Sequence, residues 1–186
     1  MTQRAMHVFC REILRFRKAL NLTAVDDEQV LFERFITPSL ALGQWIPKGP
    51  LILLDLGSGM GIPGIPLLLV RSDVQGVLVE RRRKRAEFLR HLVRTLDLNA
   101  MVLDRDIREL PPQHADVCVA RAVASQDQLL TMFEPHLTMN GRVILPVPRD
   151  SKPVKRDGWH VLGEDRVGAG EEQLVRCYIY RPGGFT

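Results

Sequence analysis

Apolar residues recur at helical spacing along the first twenty residues, which predicts an amphipathic helix. Its apolar face consists of Met6, Phe9, Ile13, Phe16 and Leu20. Basic residues occupy a different face: Arg4, Arg11, Arg15 and Lys18. The turn-favouring segment 21–24 ends this pattern, and a second helix is predicted over residues 27–42. We therefore expect residues 1–45 to form an N-terminal helical extension.

Short apolar runs of strand length follow, at residues 51–56, 76–80, 101–104, 116–120 and 142–146. Continuous apolar runs are typical of parallel strands that are covered on both faces. Helical patterns separate these runs, at residues 65–71, 82–98 and 125–137, and Ser125 with Gln128 has the spacing of a capping box. Strands that alternate with helices predict a mostly parallel, doubly wound α/β sheet.

The last two strand-like segments, residues 159–162 and 174–180, have no helical pattern between them. Without a crossover helix, consecutive strands pair antiparallel. We expect residues 46–186 to form one compact domain that ends in this antiparallel pair.

Composition limits the possible classes of protein. A chain of 186 residues that is 45% hydrophobic can bury one substantial core. The three cysteines and five histidines are dispersed and show no metal-ligand spacing, so we expect neither a disulfide framework nor a metal site. A basic start and the lack of a membrane-length apolar run predict a cytoplasmic protein without a membrane partner.

Charge is distributed unevenly, although the formal net charge is only +4. Residues 81–85 are all basic, and the first helix carries a basic stripe. Both patches are candidate contacts for nucleic-acid phosphates, and both are equally well explained as solvated helix faces.

A glycine-rich turn follows the first strand and contains Gly57, Gly59, Gly61 and Gly64. A glycine turn between a strand and a helix is the usual context of a nucleotide-type site at the carboxyl edge of a parallel sheet. Glu80 ends the next strand, where its carboxylate can accept hydrogen bonds from both ribose hydroxyls of an adenosine ligand.

The same turn also satisfies the pattern that binds nicotinamide dinucleotides, so an NAD(P)-dependent oxidoreductase is an alternative. Asp55, two residues before the first glycine, argues against it. Its charge would repel a pyrophosphate, whereas it would attract the ammonium group of a methionine-type ligand. The pattern thus favours S-adenosylmethionine.

The segment Asp55-Leu-Gly-Ser-Gly-Met-Gly-Ile-Pro-Gly-Ile-Pro66 resembles the D-x-G-[ST]-G-x-G-x-P-G-I-P signature of the RsmG (GidB) methyltransferases, which methylate N7 of a guanine in bacterial 16S ribosomal RNA. Residues 21–23, 84–89 and 120–122 resemble three further segments of that family. The resemblance implies a Rossmann-like class I methyltransferase fold and S-adenosylmethionine as cofactor. It implies 16S ribosomal RNA or the small-subunit particle as partner, and we expect a monomer.

The resemblance also implies roles for individual residues. Gly57 and Ile62 would contact the cofactor, Glu80 would hold the ribose, and Ile107 and Arg108 would flank the adenine. The other predicted cofactor residues are Asp55, Gly59, Gly61, Asp106 and Arg121. Arg121 would also be catalytic, because its planar guanidinium can orient guanine O6 or a nearby phosphate beside the transferable methyl group. No general base is required, since N7 of guanine has a free lone pair.

Three segments depart from the family pattern. Arg108 stands where many relatives carry glutamate, residues 145–147 replace a lysine-glycine pair, and Glu33-Arg34-Phe35 replaces Arg-His-Ile. A non-catalytic RNA-binding module that retains the fold is therefore a further alternative.

Overall fold

The computed structural model of the chain describes residues 2–121, 123–167 and 173–183. Within these ranges, seven strands form one sheet in the order β3-β2-β1-β4-β5-β7-β6. The strands are β1 (Leu51–Leu56), β2 (Val74–Val79), β3 (Ala100–Leu103), β4 (Ala115–Ala120), β5 (Leu137–Val147), β6 (Trp159–Val167) and β7 (Gln173–Tyr180). Strands β1 to β5 are parallel, and β7 runs antiparallel between β5 and β6. The predicted α/β class and the terminal antiparallel pair are confirmed.

Helices cover both faces of the sheet. They are α1 (Thr2–Phe16), α2 (Glu28–Leu31), α3 (Thr37–Ala41), α4 (Gly64–Val70), α5 (Arg83–Thr95) and α6 (Gln126–Phe133). The capping box at the start of α6 is present, because the side chains of Ser125 and Gln128 each accept a hydrogen bond from the other residue's backbone N–H. The prediction that this helix reaches Leu137 is wrong. A 3₁₀ turn at Glu134–His136, with proline at its second position, ends the α-helix and allows β5 to begin at Leu137.

The helix predicted over residues 27–42 is interrupted by a π-helical segment, Phe32–Ile36, between α2 and α3. In this segment the backbone N–H of Thr37 bonds to the carbonyl of Phe32, five residues earlier. Pro38 has no N–H to donate within a regular α-helix, and the bonding pattern widens directly before it. The apolar spacing alone did not indicate this change.

The N-terminal helices share a hydrophobic core with the sheet. Phe9 and Ile13 of α1 are fully buried in the same cluster as Leu53 of β1 and Leu78 of β2. Helix α1 also packs against α4, the helix that follows the glycine turn. The predicted division into an extension and a domain at residue 45 stays a prediction, since a continuous core does not show whether either part folds alone.

The parallel strands place their carboxyl ends at one edge of the sheet. The turn after β1, Glu80 after β2 and Arg121 after β4 therefore lie along the same edge.

Candidate functional site

The glycine turn after β1 is hydrogen-bonded to the end of β2. The backbone N–H groups of Gly57 and Ser58 both donate to the carbonyl of Val79, at 2.8 and 3.1 Å. Gly57 has φ 70° and Gly59 has φ 54°, in the left-handed region that favours glycine. A Cβ added to Gly57 would also lie 2.6 Å from a methyl carbon of Val123. Both conformation and space therefore require glycine at position 57.

Glu80 bridges this turn and the start of α5. Its Oε2 accepts the backbone N–H of Gly59 at 3.1 Å, and its Oε1 accepts the backbone N–H of Arg82 at 2.8 Å. The residue is only 6% exposed. Each carboxylate oxygen retains a lone pair, so Glu80 is a rigid acceptor for two further hydrogen bonds.

Asp55 lies beneath the turn and is completely buried. Its Oδ2 accepts the backbone N–H of Gly64 at 3.1 Å, while its Oδ1 has no hydrogen-bond partner among the described residues. Burial raises the pKa of Asp55 to about 7, against the opposing effect of the Gly64 N–H. The predicted contact between Asp55 and a ligand ammonium group stays a prediction; the unpartnered Oδ1 is the atom that would make it.

A cavity of about 330 Å³ opens beside Glu80 and the turn. Sites for small ligands have volumes of about 300–1,000 Å³. The cavity brings together five predicted site residues: Gly57, Glu80, Asp106, Ile107 and Arg108. The sequence pattern did not indicate Val123 or Met132, which also line it, because neither belongs to a recognisable motif. The residues present fit an adenosine ligand, since a rigid carboxylate and the apolar side chain of Ile107 face one space.

Asp106 and Arg108 form a tight ion pair on the cavity wall. The Nη2 of Arg108 donates to Oδ2 of Asp106 at 2.6 Å, and its Nε donates to Oδ1 at 2.8 Å. The Arg108 side chain is the main reason that the pKa of Asp106 lies well below its ordinary value. Asp106 also caps a short 3₁₀ turn, Ile107–Glu109, by accepting the backbone N–H of Arg108. It therefore presents an ionised acceptor to the cavity.

The other predicted residues are not among those that line this cavity. Gly61 packs under Ile65 and Phe9, and Ile62 is 5% exposed. Gly59 makes its contact through its backbone N–H to Glu80.

Arg121, at the end of β4, lies in a separate niche between the sheet edge and the N-terminal helices. Its Cζ is 4.4 Å from the ring centroid of Phe35, and Pro63 and Pro146 line the same niche. Burial, and then the charge of Arg34, lowers the pKa of Arg121. The sequence analysis did not assign a role to Phe35. The one indication was that Phe35 stands where the family pattern has isoleucine.

Some residues of the basic patches make contacts within the protein. Arg85 donates to the backbone carbonyls of Leu20 and Asn21, which ties the turn after α1 to α5. Arg15 lies 3.6 Å from a carboxylate oxygen of Glu12. Residues 81–84 remain exposed, and Arg81, Arg82 and Arg105 line the cavity. Their role as phosphate contacts stays a prediction.

Within the described ranges, no group of three or more His, Cys, Asp or Glu side chains is placed to hold a metal ion. No helix within those ranges has the length and apolar character needed to cross a membrane.

Comparison with solved structures supports the class of fold. A SAM-dependent methyltransferase from Aquifex aeolicus superposes with a TM-score of 0.63 at 17% identity, over 81% of this chain and 93% of that one. The predicted Rossmann-like methyltransferase fold is confirmed.

Comparison of sequences identifies the family. The family model described as rRNA small subunit methyltransferase G matches residues 2–146. A ribosomal RNA small subunit methyltransferase G from Cereibacter sphaeroides is 36% identical over 149 residues, 78% of this chain and 72% of the relative. One from Roseiflexus sp. is 35% identical over 189 residues, 90% of this chain and 79% of the relative. The family predicted from the glycine-turn segment is thus confirmed, and the chain belongs to the rRNA small subunit methyltransferase G family.

Proposed function

We propose that this protein transfers the methyl group of S-adenosylmethionine to N7 of a guanine in 16S ribosomal RNA. It acts as a monomer in the cytoplasm, on the RNA or on the small-subunit particle. Membership of the methyltransferase G family supports the acceptor. The observation that carries the cofactor assignment is Glu80, which is buried, is held by two backbone N–H groups, and lines the cavity.

Glu80 accepts hydrogen bonds from the two ribose hydroxyls of the cofactor in this proposal. Ile107, which is 2% exposed, supplies the apolar surface for the adenine, and Asp106 accepts from its amino group. Gly57 and Gly59 allow the backbone to approach the ligand closely. These roles use only groups that already line or border the cavity.

When bound, the sulfonium of the cofactor supplies an electrophilic methyl group. Glu80, Asp106 and Ile107 would hold this cofactor, which would give its methyl group to the lone pair of guanine N7 and leave as the neutral thioether. Because N7 loses no proton, the protein contributes positioning rather than a base. Arg121, at the end of β4, orients an oxygen of the acceptor nucleotide.

The sheet order argues against the oxidoreductase alternative. Dinucleotide-binding folds have the order 3-2-1-4-5-6 with parallel strands. Here the antiparallel strand β7 lies between β5 and β6. Calorimetric titration with S-adenosylmethionine, S-adenosylhomocysteine and a nicotinamide dinucleotide tests this choice directly. Binding of the dinucleotide without binding of the other two ligands would overturn the proposal.

The acceptor is tested with cofactor that carries a radioactive methyl group. Purified protein is incubated with naked 16S RNA or with small-subunit particles from cells that lack this protein, and the RNA is digested to nucleosides. We expect the label in 7-methylguanosine, at close to one methyl group per RNA. Label in a different nucleoside refutes the N7 assignment. Absence of label from both substrates favours a non-catalytic RNA-binding module.

A further inference from the structure

Phe35 and Arg121 are in direct contact although they belong to distant parts of the chain. The guanidinium carbon of Arg121 lies 4.4 Å from the centre of the Phe35 ring. Cations within about 6 Å of an aromatic centroid are attracted by the negative face of the ring. The contact joins the carboxyl edge of the sheet to the N-terminal helices.

The position of Phe35 depends on the π-helical segment Phe32–Ile36. A π-helical turn contains more residues than an α-helical turn, so it changes the direction in which its side chains project. Such turns are frequent at functional sites. Here the segment precedes Pro38, which lines the same niche as Phe35 and Arg121.

The guanidinium of Arg121 has no carboxylate within 4.0 Å among the described residues, and its N–H groups donate to none of the acceptors in those ranges. It is partly buried, and Arg34 adds a second positive charge nearby. A cation with unused donors and a like charge beside it is stabilised by an electronegative group from outside the protein.

We propose that Phe35 is a positioning residue for methyl transfer: its ring fixes the plane of the Arg121 guanidinium, so that the free N–H groups meet an oxygen of the acceptor nucleotide. This inference rests on the proposed function. Arg121 touches the acceptor, and Phe35 acts through Arg121. A flexible arginine at this place would sample many orientations, and one held against an aromatic ring has fewer.

The test replaces the ring with an aliphatic group. Phe35→Leu lowers kcat for RNA methylation about tenfold, whereas Phe35→Tyr keeps it within about twofold, because tyrosine retains the aromatic face. Calorimetry shows unchanged affinity for S-adenosylmethionine in both variants. Phe32→Leu is the matched control: the same change in the same π-helical segment, at a position outside the Arg121 niche. Thermal unfolding checks each variant, and Phe35→Met replaces Phe35→Leu if the latter does not fold.

Two outcomes overturn the inference: wild-type kcat in Phe35→Leu, or equal losses in Phe35→Leu and Phe35→Tyr. A double-mutant cycle with Arg121→Lys adds an independent criterion. Lysine keeps the charge but lacks the planar group, so adding Phe35→Leu to Arg121→Lys should lower kcat less than twofold further. A full additional tenfold loss shows that Phe35 acts independently of Arg121.

Failure of the proposed function would be distinguishable from failure of the role of Phe35. If the wild-type protein methylates no RNA, or if Arg121→Ala retains full turnover, the proposed chemistry or the role of Arg121 is wrong. If Arg121→Ala abolishes transfer, keeps cofactor affinity, and Phe35→Leu is fully active, only the role of Phe35 is wrong.

Discussion

The carboxylate of Asp55 and the backbone N–H of Gly64 form a buried hydrogen bond of 3.1 Å that holds the start of α4 against β1. A Cβ at position 64 would lie 2.6 Å from the same carboxylate oxygen, so glycine allows this close approach. The free-energy cost of desolvating this carboxylate is only partly offset, because its Oδ1 has no hydrogen-bond partner among the described residues. Burial raises its pKa from 3.8 to about 7.

This pKa predicts a pH-dependent stability. Between pH 3.8 and about 7 the folded protein keeps a proton on Asp55 that the unfolded chain has released, so the free energy of unfolding falls as the pH rises through this window. The contribution reaches about 4 kcal/mol, from about 1.4 kcal/mol per pKa unit. Asp55→Asn removes this dependence while keeping an acceptor for Gly64. We expect the variant to be more stable than wild type at pH 8.

Urea unfolding at pH 5, 6, 7 and 8 measures the effect as the difference between variant and wild type. Asp150→Asn, at an exposed position, controls for the loss of one carboxylate. If the free energy of unfolding depends on pH in the same way for Asp55→Asn and wild type, Asp55 is ionised in the folded protein from pH 5 to 8.

Glu80→Gln should weaken cofactor binding about ten- to hundredfold. The substitution keeps the shape of the side chain but replaces one acceptor oxygen with an NH₂ donor, which then faces a backbone N–H of Gly59 or Arg82. Hydrogen bonds to charged groups contribute about 1.5–3 kcal/mol each. Calorimetry with S-adenosylhomocysteine measures the loss. Glu87→Gln, on the exposed side of α5, should bind like wild type, and equal affinities for all three proteins would remove Glu80 from the site.

The arginines on the cavity rim should contribute to RNA affinity through phosphate contacts. Arg81 and Arg105 are exposed and line the cavity, so replacing either with alanine should weaken RNA binding and reduce the slope of log K against log salt by about one. Arg94→Ala, in the last turn of α5, is the control. Fluorescence anisotropy at several salt concentrations measures the slopes. The same slope in all variants would assign these arginines to a solvated surface.

Arg176 should fix the loop between β5 and β6. Its side chain is 1% exposed and donates to Glu164, to Gln126 at 2.6 Å and to the carbonyl of Ser151 at 2.7 Å. Arg176→Met removes the donor to all three groups, although Gln126 still accepts from the Tyr178 hydroxyl. We expect a loss of about 2–3 kcal/mol in the free energy of unfolding, since Glu164 also retains access to water. Denaturant unfolding measures the loss.

Hydrogen exchange then locates the effect of Arg176→Met. Relative to wild type, the exchange rate should increase more at the amides of residues 148–158 than at those of β1 and β2. Arg83→Met, at an exposed position, is the control. Uniformly faster exchange across the sheet would indicate general destabilisation instead.

Much of the fold followed from local patterns. The apolar runs located the parallel strands, and the Ser125–Gln128 spacing located the start of α6. The ends of elements were harder to predict. Pro135 ended α6 early, and Pro38 follows a π-helical segment that a regular apolar spacing does not distinguish from an α-helix. Backbone bonding at such positions depends on a missing N–H and on packing, and neither changes the hydrophobic period.

The sequence by itself determined the class of fold, the glycine turn, the place of Glu80 at the end of the next strand, and the family. These features are encoded by residues close together in the chain, where spacing and residue type limit the conformation. Only the tertiary structure decided that Asp55 is buried without a partner for Oδ1 among the described residues, that Arg85 ties α5 to the turn after α1, and that Phe35 lies against Arg121. Such contacts join distant segments, and their geometry depends on how whole elements pack against the sheet.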